Sequence, residues 1–270
     1  MIVLVWRLKF YGTQLFLHSG RCHINCNPTG IGYYMVEKLL AEGNKVSVLD
    51  IKTDNLANLK KRYDCLIFYK VDLRNYAEVK RAVDETVAEF GTINIAVHNA
   101  CKCTFESESE TDLDTYKDVF NVNYFGALRL VKCVIPYMSV QKKGRVIFTS
   151  SGVGVTGFIN ISPYSSTKGA LEALAKCLRI EYAKDNITFH IMHPPLTRTE
   201  SASPLPVPDE FKALPEKVGY GLAKHINSKR FIICHSLNQK MQTLGCYLFP
   251  TKMGDLLSKL TANCTKTNAL

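Results

Sequence analysis

The chain has 270 residues, 46% hydrophobic and 21% charged, which suits one large α/β core better than two small ones. No apolar run reaches the roughly 18 to 20 residues that span a bilayer, and Met1-Ile2-Val3-Leu4-Val5-Trp6 is too short for a signal sequence, so a cytoplasmic protein is expected. The formal charge of +10 is spread along the chain in short clusters such as Lys60-Lys61-Arg62, which argues against nucleic acid while favouring an anionic small molecule.

Apolar stretches of strand length alternate with amphipathic helical stretches, the pattern of βαβ units wound around a parallel sheet. After an arm over residues 1–12, Leu15-Phe16-Leu17 is the first strand. A helix over Ile31 to Glu42 follows, with Met35, Val36, Leu39 and Leu40 on one face and Gly43 as its stop. Lys45 to Leu49 is the second strand, ending on Asp50, and Leu66 to Val71 the third, ending on Asp72. Tyr76 to Phe90 is a helix closed by Gly91, and Ile93 to Val97 is strand four. Helices from about Thr111 and over Asn123 to Met138 lead to strand five, Arg145 to Thr149, and a long helix starts near Pro163. Thr188 to His193 is strand six. The segment Pro194 to Pro215 carries six prolines and is predicted to be a lid over the sheet's carboxyl edge, where such folds bind ligands.

A helix and the strand Arg230 to Cys234 close the sheet, giving a single catalytic domain over residues 13–235 and a helical tail over 236–270. In that tail Met253, Leu256, Leu257 and Leu260 form one apolar face flanked by Lys252 and Lys259, either a core or subunit contact or a peripheral membrane helix.

Tyr164 and Lys168 are spaced i, i+4 on the long helix, so their side chains share a face. A free phenol titrates near pH 10 and is a poor base at neutral pH unless a nearby cation stabilises the phenolate, which a lysine one turn away can do. Ser151 follows strand five at the carboxyl edge, where its hydroxyl can polarise a carbonyl. Cys22 and Cys26 with His18 and His23, and Cys101 with Cys103, offer no C-x-x-C pair and no local set of four ligands, so no metal is expected. Ten cysteines, several inside apolar runs, read as reduced thiols.

Ser150-Ser151-Gly152, Tyr164 and Lys168, together with Asn123 in Asn123-Tyr124-Phe125-Gly126, resemble the short-chain dehydrogenase/reductase family from about Gly12 to Thr199. The resemblance implies a Rossmann-like, three-layer α/β/α fold that transfers a hydride between a nicotinamide cofactor and an alcohol or ketone. It implies Tyr164 as general acid/base and Ser151 as a hydrogen-bond donor to the reacting oxygen. Lys168 would lower the tyrosine's pKa and hold the nicotinamide ribose, and Asn123 would order a relay water.

It further implies a glycine loop opening the first helix, of which Gly30-Ile31-Gly32 is intact. The first glycine falls on Cys26 if no gap is allowed, or on Gly20 with about six extra residues, the alignment that makes Leu15 to Leu17 the buried strand. Asp50 would accept from the adenosine ribose and repel a 2′-phosphate, favouring NAD with NADP second. Asp72 matches the adenine contact, His98-Asn99-Ala100-Cys101 stands for N-N-A-G, and Thr199 is available to the carboxamide and phosphates. The expected substrate is a lipophilic small molecule and the expected assembly a homodimer or homotetramer. The competing expectation is an interaction module of the same fold, its altered first loop having lost the dinucleotide.

Overall fold

The computed structural model describes the backbone of residues 2–7, 10–17 and 30–267, with side chains over 30–261. Gly20, Cys22, Cys26, His18 and His23 lie outside the described residues. Eight strands form one sheet: β1 (Ile2–Arg7), β2 (Phe10–Leu17), β3 (Asn44–Asp50), β4 (Leu66–Lys70), β5 (Ile95–His98), β6 (Gly144–Thr149), β7 (Ile187–Met192) and β8 (Ile232–Ile233), in the order β4-β3-β1-β2-β5-β6-β7-β8. From β2 onward neighbouring strands pair in parallel, with Leu15 opposite Ala96 and Phe148 opposite Ile191, as the doubly wound reading predicts. The addition is β1. Its residues fall in the stretch predicted as an arm, yet β1 pairs antiparallel with both β2 and β3 and separates them.

Both faces are covered by helices, so the inner strands are buried nearly throughout rather than alternating. On one face α3 (Tyr76–Phe90), α5 (Gly126–Val140) and α7 (Ser162–Glu181) pack Val79, Leu130 and Leu171 into a core with Phe148 and Phe189. On the other, α1 (Ile31–Ala41), α2 (Leu56–Arg62) and α8 (Pro215–Lys224) pack Met35, Leu39, Leu59 and Leu222 against Val46, Val97 and Ile147. Helix α3 starts where the Asn75 side chain accepts from the backbone N–H groups of Ala77 and Glu78, and stops at Gly91 with φ of 85°. The short α2 carries only two buried leucines, too little periodicity for the sequence to announce it.

The remaining helices are α4 (Leu113–Phe120), α6 (Val153–Thr156), α9 (Leu237–Leu248) and α10 (Pro250–Thr267). Where one helix was expected from Asn123 onward, a π-helical turn over Asn121–Phe125 joins α4 to α5. Gly126 permits this join, because a Cβ there would come within 3.3 Å of Leu73 Cβ and 3.4 Å of His98 Nε2.

Helices α1 and α8 approach most closely at Gly219, where a Cβ would stand 2.6 Å from the Ile31 carbonyl oxygen and 2.7 Å from Tyr34 Cβ. Alanine in place of glycine gains about 1 kcal/mol of helix propensity, whereas overpacking against backbone costs roughly 1–3 kcal/mol. We therefore expect Gly219→Ala to be net destabilising in chemical denaturation. A variant as stable as wild type or more so would show that the two helices can separate freely.

Candidate active site

Because β2 to β7 are parallel, their carboxyl ends share one edge of the sheet, and the sequence-predicted residues gather along it. Asp50 ends β3, Asp72 follows β4, Asn99 and Ala100 follow β5, Ser151 follows β6, Thr199 follows β7, and Gly30-Ile31-Gly32 opens α1. Gly30 supplies no side-chain cap, so the first N–H groups of α1 keep no intrahelical partner.

Tyr164 and Lys168 occupy the first turns of α7, which carries Pro163 at its second position. Lysine on a solvated helix face would be exposed, but Lys168 is 1% exposed. Its ammonium donates to the Thr149 carbonyl oxygen at 2.8 Å and lies 5.3 Å from the centre of the Tyr164 ring. Two glycines allow this depth. A Cβ on Gly154 would meet Lys168 Cβ at 2.7 Å, and one on Gly169 would meet the Gly154 carbonyl oxygen at 3.0 Å, so α6 lies directly on α7. The same contact brings the Ser151 hydroxyl into a hydrogen bond with Tyr164.

Burial pushes the Tyr164 phenol well above its ordinary value, the thiols of Cys101 and Cys103 add to the rise, and the Ser151 hydrogen bond opposes it. Burial likewise lowers Lys168. Among the protein groups loss of hydration sets the direction for the phenol, with the Lys168 ammonium 5.3 Å from the ring centre. Cys101, in place of the family glycine, thus places a thiol against the phenol.

Asn123 is fully buried in the π turn. Its Oδ1 accepts from the Lys102 N–H at 2.7 Å, and its Nδ2 donates to the Lys102 carbonyl at 2.9 Å and to Thr167 Oγ1 at 3.0 Å. Both amide hydrogens are used, so the side chain fastens the loop after β5 to α7. Nearby, the Thr149 hydroxyl donates to Asn99 Oδ1 at 2.9 Å, tying the β5 and β6 ends together.

The cofactor edge is less regular. Asp50 is 6% exposed, accepts from the Lys52 N–H at 2.9 Å, and is raised by burial. With β1 inserted, it stands one strand, about 4.8 Å, farther from the β2–β5 crevice than in an uninterrupted sheet. Lys52 forms an ion pair with Glu200 at 3.1 Å, bridging the ends of β3 and β7 beside Thr199. Asp72 is paired with Arg74 at 2.6 Å, and Asp118 takes both Arg74 and Lys102.

The fit of a dinucleotide is tested best at Lys168. A buried ammonium has three N–H groups, and Thr149 is the one acceptor found for it among the described residues. A ribose diol would complete the set.

Sequence patterning missed a network beneath the site. Glu172, one turn after Lys168 and 4% exposed, accepts from Ser150 Oγ at 3.1 Å and from the Tyr247 hydroxyl at 2.6 Å, and lies 3.0 Å from His193 Nε2. The Ser150 hydroxyl also reaches the Lys168 carbonyl at 3.2 Å. An acidic residue among Leu171, Ala175 and Leu178 on the buried face of α7 is the signal that could have shown it. Among the described residues no three His, Cys, Asp or Glu side chains gather as a metal site.

Residues 26–207 match the family model described as short chain dehydrogenase. The chain belongs to the short-chain dehydrogenase family. It is 33% identical over 138 residues to the Mus musculus dehydrogenase/reductase SDR family member 7, across 51% of this chain and 40% of that protein. It is 25% identical over 194 residues to the Bos taurus 3-ketodihydrosphingosine reductase, across 68% of this chain and 58% of that one. The chain thus spans only about half the length of these curated relatives. The structure of 3-ketoacyl-(acyl-carrier-protein) reductase from Brucella melitensis complexed with NADH has the same fold, with a TM-score of 0.67 at 20% identity over 78% of this chain and 88% of that one.

Although burial alone raises Glu172, hydrogen bonds and the His193 pairing bring it below its ordinary value. A depressed carboxylate stabilises the fold above its unfolded-state pKa, and the contribution disappears as pH falls through the folded-state value. We expect Glu172→Gln to lose roughly 1–3 kcal/mol at neutral pH, with the gap to wild type closing in acid. A gap that stays constant over that range would remove the carboxylate charge as its cause.

Proposed function

We propose that this short-chain dehydrogenase is an NAD(H)-dependent oxidoreductase acting on the carbonyl or alcohol of a lipophilic small molecule. The observation that carries the reading is the buried Lys168 ammonium beside Tyr164 and Ser151, an arrangement that needs an acceptor-rich ligand to complete it. The nicotinamide cofactor would supply or take the hydride at the substrate carbon. Tyr164 would give its proton to the oxygen on reduction, and a phenol kept protonated by burial is matched to a nascent alkoxide. Ser151 would donate a hydrogen bond to that oxygen, and Lys168 would hold the ribose and favour the phenolate left behind. Asn123 would act by fixing the Lys102 backbone and α7 rather than by touching substrate.

Gly30, Ile31 and Gly32, with Gly20 outside the described residues, would face the pyrophosphate. Asp50 would take the adenosine ribose, so NAD is preferred and NADP is second. Asp72, Asn99, Ala100 and Thr199 would line the cofactor. Lipophilic character is supported by the lid, which is folded onto itself through the Thr197–Ala213 bridge and shows Phe211 and Leu214 to solvent at 66% and 55% exposure. The name of the bovine relative points the same way. By family analogy the catalytic domain works as a homodimer or homotetramer in the cytoplasm, and no helix among the described residues is long and apolar enough to cross a membrane.

One observation favours the interaction-module reading. The ion pairs of Arg74, Asp72, Lys102 and Asp118 leave a cavity of about 30 Å³ beside Ile51 and Cys101, room for a water or two and not for an adenine.

Turnover by Tyr164→Phe separates the two. With NADH and a long-chain ketone we expect a loss of about 10²–10⁴ in kcat, the usual share of general acid catalysis, with the cofactor's apparent Kd nearly unchanged. Equal turnover by the variant would take Tyr164 out of the chemistry, and no turnover or cofactor binding by wild type would favour the module.

A further inference from the structure

Helix α9 is amphipathic in the inverted sense. Its buried side carries Gln239, Thr243 and Cys246, with the Tyr247 hydroxyl donating to Glu172, whereas Leu237, Met241, Leu244 and Leu248 are 71%, 59%, 46% and 61% exposed. At 100° per residue these four fall within an arc of about 60°, a continuous apolar stripe along the helix. Helix α10 repeats the arrangement: Gly254 packs so tightly that a Cβ would meet the Thr156 carbonyl oxygen at 2.5 Å, while Leu256 and Leu260 are 49% and 54% exposed. Lys252 and Lys259 share that outer face, and Lys240 borders the stripe of α9. Between residues 237 and 261 three lysines stand against one acidic residue, Asp255.

We propose that the outer face of α9 and α10 docks on an anionic lipid surface, the leucines and Met241 entering the acyl boundary and the lysines meeting the headgroups. Charge decides between this occupant and a second copy of the chain. A two-fold interface would set the same lysine-bordered stripe against itself, like charge facing like charge, whereas an anionic bilayer is complementary to both the stripe and its border. The scattered surplus of basic residues, +10 over the chain, acts in the same direction.

The docking face also has a fixed relation to the site. Through its inner side α9 reaches Glu172, and α10 reaches the loop after Ser151, where Ser258 Oγ accepts from the Ile159 N–H at 3.2 Å. A bilayer on the outer face would therefore lie against the elements that hold the serine loop, a suitable position for collecting a lipophilic substrate. The docking itself stands apart from the hydride-transfer reading.

The test is co-sedimentation of the whole chain with phosphatidylcholine vesicles and with vesicles in which part of the lipid is phosphatidylserine. We expect binding to the anionic vesicles, at least about tenfold weaker for Met241→Ser/Leu248→Ser and about tenfold weaker for Lys240→Glu/Lys252→Glu. All four positions are exposed and none touches the site, so melting temperatures equal to wild type confirm folding. Failure to bind either vesicle overturns the proposal, as does binding indifferent to phosphatidylserine and to the lysine changes. A dimer in sedimentation equilibrium that Met241→Ser/Leu248→Ser abolishes would make the face a self-interface instead. Turnover of a short, soluble ketone without vesicles reports on the hydride chemistry separately.

Discussion

An ammonium group taken out of water must be met by acceptors, and the burial of Lys168 is the constraint from which the rest of the site follows. It requires α7 to press on the end of β6, so that Thr149 can offer its carbonyl. It requires glycine at 154, where a Cβ would stand 2.7 Å from Lys168 Cβ, and leaves little room for a side chain at 169. That packing sets Ser151 against Tyr164. The carboxylate of Glu172, one turn along, then fixes Ser150 and the Lys168 backbone from below, and its own charge is met by His193 and Tyr247. The carboxyl edge of the sheet is thus one end of a column of buried polar contacts running from β6 to α9.

Sequence patterning revealed the upper part of this column for a physical reason. Tyr164 and Lys168 follow the helical period and Ser151 follows a strand end, so each is marked by local order. The lower part joins residues far apart: Tyr247 meets Glu172 across 75 positions, and no period connects them. Helix α9 lies within the predicted helical tail, but no separate outline marked it, because it buries Gln239 and Thr243 and shows leucines to solvent, the reverse of the pattern by which core helices are recognised. Strand β1 escaped because its pairing partners lie on both sides in space, β2 through a hairpin and β3 through a long crossover.

The nicotinamide end and the adenine end of the edge differ in their state. Beside Tyr164 the Lys168 ammonium has one acceptor among the described residues, the Thr149 carbonyl oxygen. Around Asp72 the groups are paired with one another through Arg74, Lys102 and Asp118, and these partly exposed ion pairs are individually weak. A dinucleotide would exchange them for contacts of its own, and Lys52 with Glu200 would yield in the same way at the ribose. Binding is then a competition at one end and a completion at the other.

The central claim is that Lys168 is buried with spare hydrogen-bonding capacity because a nicotinamide ribose completes it. The direct measurement is the melting temperature of wild type and Lys168→Met during titration with NADH. At a hundredfold excess over Kd, a ligand bound only by the folded state adds about 2.7 kcal/mol, a rise of roughly 5–10 °C for a domain of this size. The account predicts that rise for wild type and its loss in Lys168→Met. No rise in wild type, or an equal rise in both, would contradict it.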